Sequence, residues 1–302
     1  MISLEQRYTY EDILASIEHL SQEYSPFVIC RMIGKSHDDR LIPMIRIGTG
    51  ESTLICTAGM HGRETVNPVL VLKIIEEYCE GYQNRRTIGN TYDVYKLLNT
   101  YSICFVPLVN PDGYVVALDG FSSIQNPILR QNIRMKRIAS ECWKYNARGV
   151  DINRNFPSKS YVQQQISEYP GSENETKAIM NVFRDYHSVG YVDFHSKGKI
   201  IYYYHQSMPS VYNQKSHGLA KYLQKISRYS LGKKEEDTFS KLNGGNCVSY
   251  YCESLEKPAL KVETLEDNAI FPLHMKYKKE AFDEIHTIPL GILNVQYAGQ
   301  TV

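Results

Sequence analysis

Apolar positions along this chain follow two spacings in turn. Over residues 8–24 they recur every three or four: Tyr10, Ile13, Leu14, Ile17 and Leu20 share a face and predict a helix that Pro26 ends. Short apolar runs follow, Val28-Ile29-Cys30 and Met44-Ile45-Arg46-Ile47, and read as strands joined by a polar turn around Ser36-His37-Asp38-Asp39. Gly48-Thr49-Gly50 turns the chain into a third strand, Leu54-Ile55-Cys56. Val69, Leu72, Ile75 and Tyr78 predict a helix over 68–80, stopped at Gly81. A buried strand over 103–108 closes in the turn Asn110-Pro111-Asp112-Gly113.

Residues 115–150 show little periodicity and read as a long excursion over the surface. Beyond them the pattern predicts a helix over 173–187, a strand over 191–194 ending at His195, and a strand over 200–204. A helix over 211–229, a strand over 258–262 ending at Glu263, and a last helix over 278–293 with a bend at Pro289 complete the chain. Strands alternate with helices and no composition break divides them. The expectation is one α/β domain over 1–302, with a central, mostly parallel mixed sheet flanked by helices.

Composition narrows the classes. With 42% apolar and 22% charged residues, the 302-residue chain reads as globular. A formal charge of +1 gives no bulk attraction to nucleic acid or anionic membrane, and no run reaches the length of a membrane span. The start, Met1 to Asp12, shows no basic region followed by an apolar core, which reads as cytoplasmic unless the chain is a trimmed secreted protein. Seven scattered cysteines without a CxxC read as buried thiols in a reducing compartment. The 24 tyrosines suit core filling and aromatic surface around a cleft. Nothing in the sequence bears on oligomeric state.

The chemistry gathers at predicted strand ends. His61 and Glu64 stand three residues apart in Thr57-Ala58-Gly59-Met60-His61-Gly62-Arg63-Glu64, between a strand and a helix. His61, Asn110, His195 and Glu263 all follow strands, and in such sheets ligands collect at the carboxyl ends. Imidazole and carboxylate both bind Zn²⁺. Two His and one Glu leave a fourth position for water, as a catalytic zinc site requires. His195 is the candidate third ligand to one Zn²⁺ per chain, and Glu263 the candidate general base.

At these residues the chain resembles the zinc carboxypeptidase family of the carboxypeptidase A and T type. His61-Gly62-Arg63-Glu64 resembles its first zinc motif and Asn110-Pro111-Asp112-Gly113 its turn. Asp151-Ile152-Asn153-Arg154-Asn155 resembles the substrate-carboxylate motif, Phe194-His195-Ser196 the third-ligand motif, and Val262-Glu263 the catalytic-base strand. The matches run in family order from about residue 8 to 295. The resemblance implies that His61, Glu64 and His195 bind zinc, that Asp151 holds the second ring nitrogen of His61, and that Asn153 and Arg154 clamp a substrate carboxylate. It implies a substrate-side role for Arg63 and the role of general base for Glu263.

Two positions depart from the family pattern. Where the family carries an oxyanion-stabilising Arg, this chain has Lys144 in Cys142-Trp143-Lys144-Tyr145, with Arg137 as the alternative. Where digestive members place a mobile Tyr four residues before Gly244-Gly245, this chain has Ser240; Tyr250 and Tyr251 are the substitutes to consider. The implied pocket residue is Cys247, without the acid that a site for basic side chains requires. The stretches 143–151 and 195–202 look most like the bacterial branch that cleaves γ-D-glutamyl-diaminopimelate bonds in peptidoglycan peptides. Lys197 and Lys199 suit an acidic or zwitterionic ligand there, or a solvated loop. The expectation is a metallopeptidase acting on a peptide or muropeptide near a free carboxylate. The alternatives are a carboxypeptidase on ordinary peptides or protein tails, and a zinc-binding module without turnover.

Overall fold

The computed structural model describes residues 1–236 and 244–300. The first helix, α1 (Tyr10–Glu23), starts where Thr9 and Asp12 cap each other. The Thr9 hydroxyl accepts from the Asp12 amide at 3.1 Å, and the Asp12 carboxylate accepts from the Thr9 amide at 2.8 Å. Its apolar face, Tyr10, Ile13, Ile17 and Leu20, is buried as the spacing predicts.

A hairpin of β1 (Val28–Lys35) and β2 (Leu41–Gly48) follows, then β3 (Ser52–Ala58) and helix α2 (Asn67–Gln83). A two-stranded ribbon, β4 (Thr87–Ile88) and β5 (Tyr92–Asp93), and the short helix α3 (Val94–Thr100) lead into β6 (Tyr101–Val106). Helices α4 (Pro111–Asp119), α5 (Pro127–Arg134) and α6 (Asn174–Asp185) precede β7 (Ser188–Ser196) and β8 (Ile200–Tyr202). The remainder is α7 (Ser210–Ser227), β9 (Ser230–Leu231), α8 (Cys247–Leu255), β10 (Ala259–Thr264), α9 (Tyr277–Ile285) and α10 (Ile288–Gln300).

Eight strands form one mixed sheet in the order β1-β2-β6-β3-β7-β10-β8-β9. Its centre, β6-β3-β7-β10, is parallel, and β1, β2 and β8 join antiparallel neighbours. Buried apolar side chains cover both faces. One core includes Ile13, Leu72 and Phe105; the other includes Ile179, Phe183 and Tyr251. A sheet covered on both faces accounts for the continuous apolar runs of β3 and β6.

Two expectations change. Residues 115–150 are not a structureless excursion: they carry most of α4 and all of α5, and they bury Trp143 edge-on against Phe121 and Tyr145. These helices span only two or three turns, and α5 buries Ile133 alone, too few apolar positions for a period to show. The last helix is two helices. The break falls at His286–Thr287 and Pro289 sits in the first turn of α10, where its missing N–H leaves no helical bond unmade.

The turn after β6 positions the loop after β3. Asn110 caps α4 by accepting from the Gly113 amide at 2.8 Å, and its own amide donates to the carbonyls of Met60 (3.2 Å) and Lys144 (3.4 Å). Three separate segments are thereby tied at one side chain. Gly62 rests on Gly113 so closely that a Cβ would come within 2.2 Å of its backbone. Gly62→Ala must therefore push the His61–Glu64 loop off the turn. We expect a loss of roughly 1–3 kcal/mol of stability, read as a lower thermal midpoint, together with weaker metal retention. An unchanged midpoint and metal content would remove this account of the glycine.

Candidate metal centre and substrate clamp

β3 ends at Ala58, paired in register with Phe194 of β7, so His61 and His195 emerge beside each other. Their ring centroids are 4.8 Å apart. Glu64 lies between them. His61 Nδ1 is 2.7 Å from Glu64 Oε1, and His195 Nδ1 is 3.2 Å from Glu64 Oε2. The outer nitrogens face other carboxylates: His61 Nε2 is 3.3 Å from Asp151 Oδ1, and His195 Nε2 is 2.8 Å from Asp193 Oδ2. The first of these is an ion-pair distance whose angle falls short of a hydrogen bond, because His61 Nε2 has no hydrogen-bond partner.

This arrangement fits a metal. A carboxylate stands behind each ring, Asp193 hydrogen-bonded to His195 Nε2 and Asp151 at ion-pair distance from His61 Nε2, and with Nε2 protonated each ring would offer Nδ1 to an ion. One ligand atom from each of His61, Glu64 and His195 lies within 4.8 Å of the others, and Glu64 Oε2, though buried, accepts no hydrogen bond. The donors, two imidazoles and one carboxylate, are those of a zinc site with an open position.

Burial shapes the protonation of the metal-free cluster. It would push Glu64 up, but His61 and His195 outweigh it and carry the carboxyl down to about 2. Burial would push the His61 ring down, and Glu64 with Asp151 carries it above the ordinary imidazole value. The same balance, with Asp193 and Glu64 as the partners, carries His195 well above it. Asp151 is held well below the usual carboxylate range: burial opposes this, and His61, Arg154 and Lys144 prevail.

A second His–carboxylate group, His37 with Glu173 and Glu175, has different surroundings. Arg148 donates to Glu173 Oε1 at 3.0 Å, and the Asn146 amide donates to Glu173 Oε2 at 2.8 Å and Glu175 Oε2 at 3.2 Å. The Glu173 amide donates to Asn155 Oδ1 at 3.0 Å. Both Glu173 oxygens and Glu175 Oε2 are thereby occupied, Glu175 Oε1 is buried without a hydrogen bond, and the group braces the segment that carries Asn153 and Arg154.

The predicted residues fall around the first cluster. Glu263 is the register partner of His195 across β10 and β7, and its carboxylate lies 3.0 Å from Lys261 Nζ. Lys144 Nζ sits 2.5 Å from Asp151 Oδ2, so one carboxylate faces both the His61 ring and this ammonium. Asp151 Oδ1 also accepts from the Asn153 amide at 3.1 Å. The Asn153 side chain lies 3.4 Å from His195 Nε2 and accepts from the Cys247 amide at 2.9 Å. Arg154 NH1 donates to the Asn153 carbonyl at 2.6 Å, and Arg63 stacks on Phe271 at 4.6 Å. A cavity of about 420 Å³ opens beside Asn153 and Arg154 and includes Tyr202, Lys261 and Val248 in its wall.

Other predicted residues lie apart. Cys247 is fully buried at the start of α8, its sulfur 3.1 Å from the Tyr191 hydroxyl. Arg137 is exposed, and among the described residues no side-chain hydrogen bond or ion pair joins it to the cluster. Its neighbour Lys136 packs over the Tyr145 ring at 4.6 Å instead. Lys199 is taken by Glu266, Glu280 and Glu284, and Lys197 by Asp267. Tyr251 is a core residue bonded to Ser188, and Tyr250 packs on Phe156 and Phe183, so neither substitutes for a mobile tyrosine. Ser240 lies outside the described residues.

Two positioning residues escaped the sequence reading. Asp193 stands two positions before His195, on the same strand face, and is held by Thr57 at 2.6 Å; the i, i+2 alternation was the available signal. Asn67, at the start of α2, donates to Ser196 Oγ at 3.1 Å and accepts from Thr264 Oγ1 at 2.8 Å. It ties the end of β7 to the end of β10, and no local pattern announces it.

Comparison with known proteins bears on the family and the fold. Gamma-D-glutamyl-L-diamino acid endopeptidase 1 of Lysinibacillus sphaericus is 26% identical over 217 residues, 67% of this chain and 54% of that protein. Carboxypeptidase A2 of Rattus norvegicus is 28% identical over 241 residues, 75% of this chain and 54% of that protein. The chain thus spans about half the length of the curated relatives it matches. Bovine thrombin-activatable fibrinolysis inhibitor, solved in complex with tick carboxypeptidase inhibitor, shares the fold: TM-score 0.78 at 20% identity, covering 99% of each chain. Murein-tripeptide amidase MpaA from Escherichia coli O157 aligns with TM-score 0.51 at 18% identity, over 87% of this chain and 91% of that one. The zinc carboxypeptidase family model, Peptidase M14, matches residues 13–281, and the chain belongs to that family.

Proposed function

We propose that residues 1–302 form one zinc peptidase catalytic domain, a metallocarboxypeptidase that hydrolyses the bond next to a residue with a free carboxylate. The observation that carries this reading is the adjacency of three elements: the His61–Glu64–His195 cluster, Glu263 in register with His195, and Asn153–Arg154 beside an open cavity. Arg154 and Asn153 hold the terminal carboxylate and thereby align the scissile bond. Zinc, when bound, lowers the pKa of water towards ~7 and polarises a carbonyl. Glu263 takes the proton of the attacking water and hands it to the leaving amine. Lys144, 2.5 Å from Asp151, supplies positive charge at the edge of the cluster, where an Arg would offer a two-pronged fork. Arg63, over the Phe271 ring, supports the substrate on the other side of the bond.

The substrate we infer is a γ-D-glutamyl-diaminopimelate peptide from peptidoglycan. Its support is the relative named for γ-D-glutamyl-L-diamino acids together with the sequence likeness at 143–151 and 195–202. The carboxypeptidase A2 relative supports ordinary peptide tails instead. No described helix is long and apolar enough to cross a membrane. A cytoplasmic setting rests on seven unpaired thiols, which suit a reducing compartment.

Three outcomes test this reading. Glu263→Gln should lower kcat by on the order of 10²–10⁴-fold while the protein retains its zinc; retained activity would reassign the base. The tripeptide L-Ala-γ-D-Glu-meso-diaminopimelate should be turned over faster than hippuryl peptides in parallel assays, and the opposite ranking would favour peptide tails. Because the metal-free His61 and His195 rings sit above the ordinary imidazole pKa, they hold protons near neutrality that zinc must displace. Zinc affinity should therefore rise with pH through the neutral range, with on the order of one to two protons released per ion. Titration calorimetry in buffers of different ionisation enthalpy reads that release, and an affinity independent of pH would contradict it.

A further inference from the structure

The cavity beside the clamp contains a cation that no role above uses. Lys261 lies two residues before Glu263 on β10, so both side chains leave the same face of the sheet. Its Nζ is 3.0 Å from Glu263 Oε1 and 4.2 Å from the Tyr202 ring centre. Glu263 is its one hydrogen-bond or ion-pair partner among the described residues. An ammonium carries three N–H donors, so two remain for a ligand in the cavity. Arg154 and Asn153 line that cavity with Lys261, so the clamp and this ammonium face one space. A partly exposed ammonium over an aromatic ring, in the wall of a cavity of about 420 Å³, does not suit an apolar or cationic side chain.

Resting on the function proposed above, we propose that Lys261 selects a C-terminal residue whose side chain itself carries a carboxylate. The side-chain carboxylate takes the remaining donors of Lys261, while the main-chain carboxylate takes Arg154. Glu236 lines the same cavity and presents the opposite sign. A side chain ending in both a carboxylate and an ammonium, as in a diamino-dicarboxylic acid, matches both charges.

The test compares acid and amide partners that differ only at the side-chain carboxylate. One pair is L-Ala-γ-D-Glu-meso-diaminopimelate and its distal amide; the other is hippuryl-glutamate and hippuryl-glutamine. In whichever scaffold is turned over, the acid should exceed the amide in kcat/KM by on the order of 10- to 100-fold, the strength of one charge-assisted hydrogen bond. Lys261→Met should bring the ratio near one, and Lys261→Arg should restore part of it. Any disturbance of Glu263 by the substitution acts on both members of a pair and cancels in the ratio. A wild-type ratio near one, or a ratio unchanged in Lys261→Met, overturns the assignment and leaves the peptidase reading intact. Should neither scaffold be hydrolysed, the peptidase reading fails, and calorimetry of free meso-diaminopimelate and its monoamide on the zinc-loaded protein decides Lys261 alone. Tighter acid binding that Lys261→Met abolishes supports it, and equal binding overturns it.

Discussion

Glu64 is a carboxylate buried to 1% exposure, and its charge is tolerable only because two imidazoles meet it. Each ring is in turn backed by a carboxylate, Asp151 behind His61 and Asp193 behind His195. The result is a chain of alternating charge through the end of the sheet, in which removing any member takes a partner from a buried neighbour. The rest of the architecture serves that chain. Parallel pairing of β3 with β7 sets the separation of the two histidines, Asn110 and Gly62 fix the loop that carries Glu64, and Thr57 steadies Asp193. Bound zinc would replace Glu64 as the direct partner of both rings and leave the outer carboxylates in place, so the metal-free geometry already has the orientation that ligation needs.

The readable part of this site was the part that strand ends determine. His61, His195 and Glu263 follow apolar runs, and the parallel centre of the sheet brings the ends of those runs together whatever the helices do. Asn67 was unreadable for the complementary reason: its partner Ser196 lies 129 residues away, and an asparagine in the first turn of a helix has many local explanations. The same distinction holds in the fold. Helix α1, with a capping box and four buried positions on one face, could be read from its spacing. Helices α4 and α5 could not, since α4 starts from a turn motif and α5 keeps a single buried residue. Lys197 and Lys199 look alike in sequence as cleft cations, yet Glu266 and the α9 pair Glu280 and Glu284 claim Lys199, and only tertiary packing brings the lysine to those acids.

Charge is sorted by depth around the centre. Glu64, Asp151 and Asp193 are buried, whereas Arg63, Lys144, Arg154 and Lys261 are partly exposed. Negative groups therefore face inwards, where they hold the imidazoles and would hold a cation, and positive groups line the approach. A formal charge of +1 over the whole chain gives no long-range field to steer a substrate, and screening at physiological salt sets in within about 8 Å. Under the proposed function, selection for an anionic peptide must then operate at contact distance, through the few cations at the cleft. That places the burden of discrimination on side chains whose donors are not already taken. Lys199, enclosed by three carboxylates, cannot contribute, and Lys144 is shared with Asp151. Arg154 and Lys261, both lining the cavity, retain donors that point to a substrate carrying two carboxylates rather than one.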